Sequence, residues 1–370
     1  MPSEFMRAAL DESRAALGTT SPNPAVGCVI VRDGHIVGRG RTQPPGEAHA
    51  EVMALREAGD LARGAEAYVT LEPCSHHGRT PPCTDALIAA GVTAVHFSIE
   101  DPDPRVAGSG AQALRDAGIE VHEGDGAADA EHLNEGFLKH RRTGLPFVIA
   151  KFAASLDGRI AASSGDARAG SPDTQRAWAH DLRTRIDAIV VGSGTVRADD
   201  PHLTARPDGV LAARQPLRVV IDGAGHTSAH ARVFDGAART LVATTERSAP
   251  GWRGELAERG VEVALLPGTD GRHVDLGRLL ALLGEREVLT VLVEGGGVLL
   301  GALFDQRYVD RLYAVIAPVI IGAHDAPAAV AGRGASVMRE APRLRDLTVE
   351  RLGEDVLIEG VPVWPAGEDR

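Results

Sequence analysis

Short apolar runs of strand type alternate with segments of helical spacing along the whole chain, and this alternation constrains the fold more than any other feature. The first series opens with a helix over Glu4–Leu17 stopped by Gly18. It continues with the strand "AVGCVIV" (Ala25–Val31), a hairpin turn at Asp33-Gly34 and the return strand "HIVGRG". A helix over Ala48–Ala58, the strand "AEAYVTLE", a helix over Cys83–Ala90, the strand "VTAVHFSI", the helix "GAQALRDAG" and the strand "IEVHEG" follow. The polar stretch "KHRRTGLP" (Lys139–Pro146) breaks the pattern, which then restarts. "FVIAKFAAS", "AIVVGS", "LRVVID", "TLVATT", "VEVALL" and "VLTVLVEGGG" read as strands, and "DRLYAVIAPVIIG" and "DVLIEGVPV" add two more. Such alternation predicts parallel or mostly parallel sheets covered on both faces. At 370 residues the chain exceeds what one core organises, so two α/β domains are expected, 1–144 and 145–370. "LRDAGIEV" and "LAERGVEV" look alike, but helix–glycine–strand is common in this class and no repeat is inferred.

Charge narrows the partners. The chain has 51 acidic against 39 basic residues, a net charge of −12, and no basic tract offsets it. Such a surface repels a phosphate backbone, which argues against a nucleic-acid binder and for a small molecule met in a local pocket. No run approaches the roughly 20 apolar residues that span a bilayer, and "MPSEFMRAALDESRAAL" is amphipathic and acidic, unlike a signal peptide. The expectation is a cytoplasmic protein without membrane contact, and a homo-oligomer. The 43 glycines and 22 prolines are spread out and read as many tight loops.

Three cysteines, Cys28, Cys74 and Cys83, are too few for a disulfide framework. Cys28 lies inside an apolar strand and reads as a buried hydrophobe. The other two belong to a sharper pattern: His49-Ala50-Glu51, then Pro73-Cys74, then Cys83. Catalytic zinc takes three protein ligands and keeps a fourth position open, and one imidazole with two thiolates supplies the three. A carboxylate outside the ligand set can then move protons, as in the His-x-Glu…Pro-Cys…Cys signature of zinc nucleobase deaminases. Cys83 opens a helix after Pro81-Pro82, and a helix N-terminus favours the thiolate that zinc needs. Residues two apart on a regular helix point to nearly opposite sides, so His49 and Glu51 converge only at a helix entry. The insert "SHHGRTPP" must fold as a loop that returns the second thiolate. His76 and His77 within it are rival ligands; His49 is favoured because it is paired with Glu51.

"SPNPAVGCVIV", "HAE" and "TLEPCSHHGRTPPC" closely resemble the deaminase half of the bifunctional riboflavin-biosynthesis deaminase–reductase family, where a long insert between the cysteines is characteristic. The resemblance implies a cytidine-deaminase-like three-layer domain in which His49, Cys74 and Cys83 hold zinc and Glu51 is the proton shuttle. Water activated by zinc would attack the amino-bearing carbon of a diaminopyrimidine and release ammonia. Asn23 matches the position expected to hold the substrate ring. Arg79 stands where a basic residue could meet the substrate phosphate, and for both Asn23 and Arg79 a structural role in the loop is the other reading.

"VLTVLVEGGGVLLGALFD" places Glu294 and Gly295-Gly296-Gly297 between a strand and a helix, a turn whose amides can approach a phosphate. By itself this is a weak signal, since it lacks the Gly-x-Gly-x-x-Gly spacing. With "KFAASLDGRIA" and "LRTRIDAIVVGSGTVRADDPHLTAR", however, it resembles the reductase half of the same family, whose fold is like dihydrofolate reductase. The resemblance implies hydride transfer from NADPH to the sugar carbon bonded to the ring amine, opening ribose to ribityl. Ala154, Thr195, Asp199, Gly296 and Gly297 would then contact the cofactor. Arg183, Leu203, Arg206 and Glu294 would contact the substrate, a pyrimidine ribose phosphate, and Lys151 could bond a ring carbonyl. One departure stands out: the family has a serine, then a tryptophan two residues later, where this chain reads Asp166-Ala167-Arg168-Ala169-Gly170. The alternative reading it motivates is a deaminase whose second half has altered or lost reductase activity.

Overall fold

The computed structural model describes residues 1–76, 81–103, 107–166 and 173–365. Two compact units divide the chain, Met1–Leu145 and Pro146–Arg370.

Ser3 starts the first unit: its hydroxyl accepts from the Met6 N–H at 3.2 Å and caps helix α1 (Glu4–Ala16). Met6, Ala9, Leu10 and Ala16 form the buried side of α1, which packs on strand β1 (Gly27–Arg32). Asp33 and Gly34, both at positive φ, turn the chain into the antiparallel β2 (His35–Arg41). Helix α2 (Ala50–Ala58) lies close on β2 because Gly40 has no side chain; a Cβ there would sit 2.2 Å from the Ala50 carbonyl oxygen. The unit continues through β3 (Glu66–Val69), α3 (Cys83–Ala90), β4 (Ala94–Phe97), α4 (Ser109–Asp116), β5 (Glu120–Glu123) and α5 (Ala127–Thr143).

The five strands are ordered β2-β1-β3-β4-β5. β1 is antiparallel to both β2 and β3, whereas β3, β4 and β5 run parallel. This sheet is therefore mixed rather than mostly parallel: a tight hairpin at its first corner forces antiparallel pairing, and only helical crossovers permit the parallel kind. A second difference concerns "KHRRT", which is polar but not irregular. It forms the last turn of α5, ended by Gly144 at φ 73°.

The second unit comprises β6 (Phe147–Ser155), α6 (Asp173–Arg185), β7 (Ala188–Gly192), α7 (Ser193–Asp199), β8 (Leu217–Ile221), β9 (Thr240–Thr244), α8 (Pro250–Glu258), β10 (Glu262–Leu265), α9 (Leu276–Glu285), β11 (Thr290–Glu294), α10 (Gly297–Asp305), β12 (Arg311–Ala317), β13 (Arg343–Leu352) and β14 (Asp355–Val363). Its nine strands follow the order β10-β9-β8-β7-β11-β6-β12-β14-β13. From β10 to β12 every pairing is parallel, and only β12-β14 and β14-β13 are antiparallel. Ile189, Val191, Val220, Val242 and Leu292 from the central strands share one core with Val233, Phe234 and Leu256. Strand β13 is a finding the sequence pattern did not reveal. "RLRDLTVERL" is largely exposed along its length, so it lacks the apolar run that marks a buried strand.

Candidate functional site

In the first unit the helix entry required by spacing is present. His49 is extended (φ −76°, ψ 166°) and caps α2, while Glu51 lies in the first turn. His49 Nδ1 stands 3.2 Å from Cys83 Sγ and 3.7 Å from Cys74 Sγ. The three ligand atoms all lie within 4.8 Å of one another, and among the described residues this is the group able to hold a metal ion. Atoms bound about 2.0–2.3 Å from a tetrahedral zinc lie roughly 3.5–3.8 Å apart, so the donor set fits that ion in type and spacing.

Cys83 begins α3 at Pro82, and its backbone N–H donates to Cys74 Sγ at 3.4 Å. The Thr84 N–H donates to the Cys74 carbonyl at 3.2 Å. Hydrogen bonding from Cys83, aided by His49, pulls the Cys74 thiol down to about 4, and the same bond together with burial pushes Cys83 up. Glu51 is buried at 4% exposure; burial and then Cys74 raise its carboxyl, opposed by His49. A carboxyl raised in this way can hold a proton and return it.

Of the rival histidines, His76 is not among the converging groups, and its Nδ1 is buried without a partner among the described residues. His77 and Arg79 lie outside the described residues. Asn23 sits in the turn between α1 and β1, its N–H donating to the Thr20 carbonyl at 2.8 Å.

Sequence patterning gave no sign of two groups that hold this site. Glu72, buried at 3% exposure, accepts from the N–H groups of Asp101 (3.3 Å), Gly108 (3.0 Å) and Ala111 (3.0 Å). It thereby ties the start of α4 to the segment carrying Cys74. Buried Asn134 on α5 bonds both polar groups of Ala25, at 2.9 and 3.0 Å, and anchors the chain just beyond Asn23.

The second unit brings most of its expected residues to the C-terminal ends of its central strands. Glu294 ends β11 in register with Lys151 of β6. Arg183 of α6 reaches Glu294 with two bonds, 2.9 Å from Nε and 2.7 Å from Nη2. Burial alone would raise the Glu294 carboxyl, but Arg183 and Lys151 outweigh it and hold it at about 2. Gly295 and Gly296 take φ 69° and 72°, and Gly296 caps α10. Thr195 of α7 faces this turn: its Oγ1 would lie 3.5 and 3.2 Å from a Cβ on Gly295 and Gly296. Gly295 and Gly296 thus leave the turn before α10 without side chains, and bare amides at a helix start can approach an anion. Ala154 is buried near the end of β6. Asp199 is exposed at the last turn of α7, its carbonyl accepting from Arg232 at 3.3 Å. Leu203 is buried at φ 54°, and the Arg206 Nε donates to Thr204 Oγ1 at 2.9 Å.

Comparison with known proteins accounts for both units. The family model for the cytidine and deoxycytidylate deaminase zinc-binding region matches residues 1–99, and that for the RibD C-terminal domain matches 146–358. The riboflavin biosynthesis protein RibD of Escherichia coli K12 is 43% identical over 366 residues, covering 96% of this chain and 97% of its own. The chain belongs to the RibD family. Its counterpart from Bacillus amyloliquefaciens is 41% identical, with 98% and 96% coverage. Among solved structures, Acinetobacter baumannii RibD matches with TM-score 0.86 at 36% identity over 97% of this chain and 98% of that one. A Thermotoga maritima diaminohydroxyphosphoribosylaminopyrimidine deaminase/5-amino-6-(5-phosphoribosylamino)uracil reductase matches with TM-score 0.85 at 35% identity, with the same coverage. The architecture is thus the RibD pairing, a cytidine-deaminase-like unit followed by a reductase unit of dihydrofolate-reductase type. The departure at Ala167 to Gly170 lies outside the described residues. No helix among the described residues is long and apolar enough to cross a membrane.

Proposed function

We propose that the chain performs two successive steps of riboflavin biosynthesis: hydrolytic deamination of a phosphoribosylamino-diaminopyrimidinone in residues 1–144, then reduction of its ribose to ribityl in residues 145–370. The observation that carries this reading is the convergence of His49, Cys74 and Cys83 within 4.8 Å, with Glu51 buried beside them, in a chain that follows RibD proteins over nearly its whole length. A purely structural zinc takes four protein ligands and needs no buried acid, whereas among the described residues three ligands converge with Glu51 buried beside them.

His49, Cys74 and Cys83 would hold zinc, which when bound would supply a water activated as a nucleophile at neutral pH. Glu51 takes the proton from that water and delivers it to the departing amine. Asn23 orients the pyrimidine ring. In the second unit, NADPH when bound would supply a hydride to the sugar carbon. Thr195, Gly296 and Gly297 cradle the cofactor, with Ala154 and Asp199 at its flanks. Arg183, fixed by Glu294, and Arg206 meet the anionic substrate; Leu203 lines the pocket and Lys151 bonds the ring carbonyl.

The RibD comparisons favour two activities over a chain whose second unit is silent. Nothing points to a nucleic-acid target. The reading places the enzyme in the cytoplasm, where NADPH and unoxidised thiols are available. Self-association is part of it: Leu347 and Val349 on the edge strand β13 are 55% and 60% exposed.

Chelation tests the division of labour. Stripped of zinc, the protein should release no ammonia from the aminopyrimidine, regain that activity on adding zinc, and oxidise NADPH with the deaminated substrate throughout. Ammonia release that survives complete metal removal contradicts the deaminase half. Arg206→Ala should weaken substrate binding far more than NADPH binding, read by titrating each in turn.

A further inference from the structure

The segment Pro201–Arg206, between α7 and β8, has no regular structure of its own, and Leu203 within it holds φ at 54°, an uncommon conformation for a branched residue. Side chains from elsewhere hold its backbone. Arg218 of β8, fully buried, donates to the His202 carbonyl at 3.2 Å, and Arg183 of α6 donates to the Thr204 carbonyl at 3.2 Å. Gln215 accepts from the Ala205 N–H at 2.8 Å and donates to the Ala205 carbonyl at 3.0 Å. His180 of α6 completes the set: its Nδ1 accepts from the Arg206 N–H at 3.1 Å. Sequence reading passed over His180, because a single histidine on a helix carries no spacing signal.

Arg183, Arg218 and Gln215 keep one protonation state near neutrality, and histidine does not. A ring nitrogen that accepts an N–H cannot also carry a proton, so this bond exists only with Nδ1 unprotonated. The charged and polar groups facing the ring are Arg183 on its own helix, Glu294 at the end of β11, and Arg206 with the Thr204 carbonyl in the segment itself. Burial and then Arg183 and Arg206 hold the ring below the ordinary histidine value, against the Thr204 carbonyl and Glu294.

We propose that His180 is a positioning residue for the reductase substrate: its unprotonated Nδ1 fixes the backbone of Arg206, and protonation of the ring releases that hold and loosens the substrate in acid. The proposal rests on the assignment of Arg206 to the substrate. It concerns binding, since His180 touches the reacting groups only through Arg206.

The test follows initial rates of NADPH oxidation by the full chain, with the deaminated phosphoribosylaminopyrimidine as varied substrate, at about pH 8 and about pH 5.5. Wild type is compared with H180A, H180N and R206A. Asparagine offers an acceptor oxygen where Nδ1 stands and does not titrate, so H180N separates the ring's proton from that of the substrate phosphate. H180A should raise KM about fivefold at the higher pH, with kcat and NADPH affinity close to wild type. H180N should keep the wild-type KM there and lose part of its rise in acid. A wild-type KM in H180A, or a full wild-type acid rise in H180N, overturns the role of His180; the second holds even if H180A fails to fold. An unchanged KM in R206A overturns the assignment of Arg206 and the proposal with it. A raised KM in R206A beside an unaffected H180A overturns the proposal alone.

Discussion

Glu51 is buried beside two thiols and an imidazole, where burial and Cys74 raise its carboxyl while His49 opposes them. That balance suits a group that must take up a proton and give it back. Glu51→Gln keeps the shape and removes the titration, so ammonia release should fall by about a thousandfold, the scale of general acid–base catalysis. Metal analysis should still find zinc near one per chain. Cys74→Ser should lose zinc and ammonia release together. At this scale the ligand set was legible because histidine and cysteine advertise their chemistry by type and spacing. Glu72, Asn134 and His180 were not, because each acts on backbone groups well separated in sequence, such as Asn134 on Ala25 and Glu72 on Gly108.

Among the elements, helix ends do much of the positioning. Cys83 opens α3, His49 caps α2, and α4 is brought to Cys74 by Glu72 and by a close approach at Gly110. A Cβ on Gly110 would lie 2.0 Å from the Pro73 carbonyl oxygen, next to Cys74 of the candidate metal site. Gly110→Ala should therefore cost about 3 kcal/mol in urea unfolding and weaken zinc retention. Gly254→Ala, on α8 with open space around the new methyl, should be neutral or slightly stabilising. Equal effects from the two substitutions contradict the packing argument. Apart from β13, the strands of both sheets were readable from apolar runs. Helix α5 was not, since the buried side of its middle turns carries Asn134 and Gly136 rather than a clear apolar stripe. Strand β13 escaped because an exposed edge strand need not be apolar.

For the whole molecule, falling pH should weaken the second unit's buried ion pair. Glu294 titrates at about 2 when folded, below its ordinary 4.5, so the stabilisation is full above the ordinary value and lost as pH falls toward about 2. Glu294→Gln leaves Arg183 buried without its partner. Its midpoint in urea at neutral pH should show a loss of about 3 kcal/mol, and the difference from wild type should shrink as pH falls from about 5 to about 3. The net charge of −12 also bears on the proposal at this scale: if Arg183 and Arg206 meet an anionic substrate as proposed, they do so against the field of the rest of the chain.

The measurement closest to the central claim supplies the purified full chain with the aminopyrimidine phosphoriboside and follows ammonia, NADPH and both pyrimidine products together. Without NADPH, ammonia should appear and the deaminated riboside accumulate; with NADPH, that riboside should pass to the ribityl product in step with cofactor oxidation. Glu51→Gln should block both products from the amino substrate, yet oxidise NADPH normally when the deaminated riboside is supplied. NADPH oxidation that proceeds from the amino substrate without ammonia release, or a purified chain that releases ammonia but never forms the ribityl product, would contradict the two-step account.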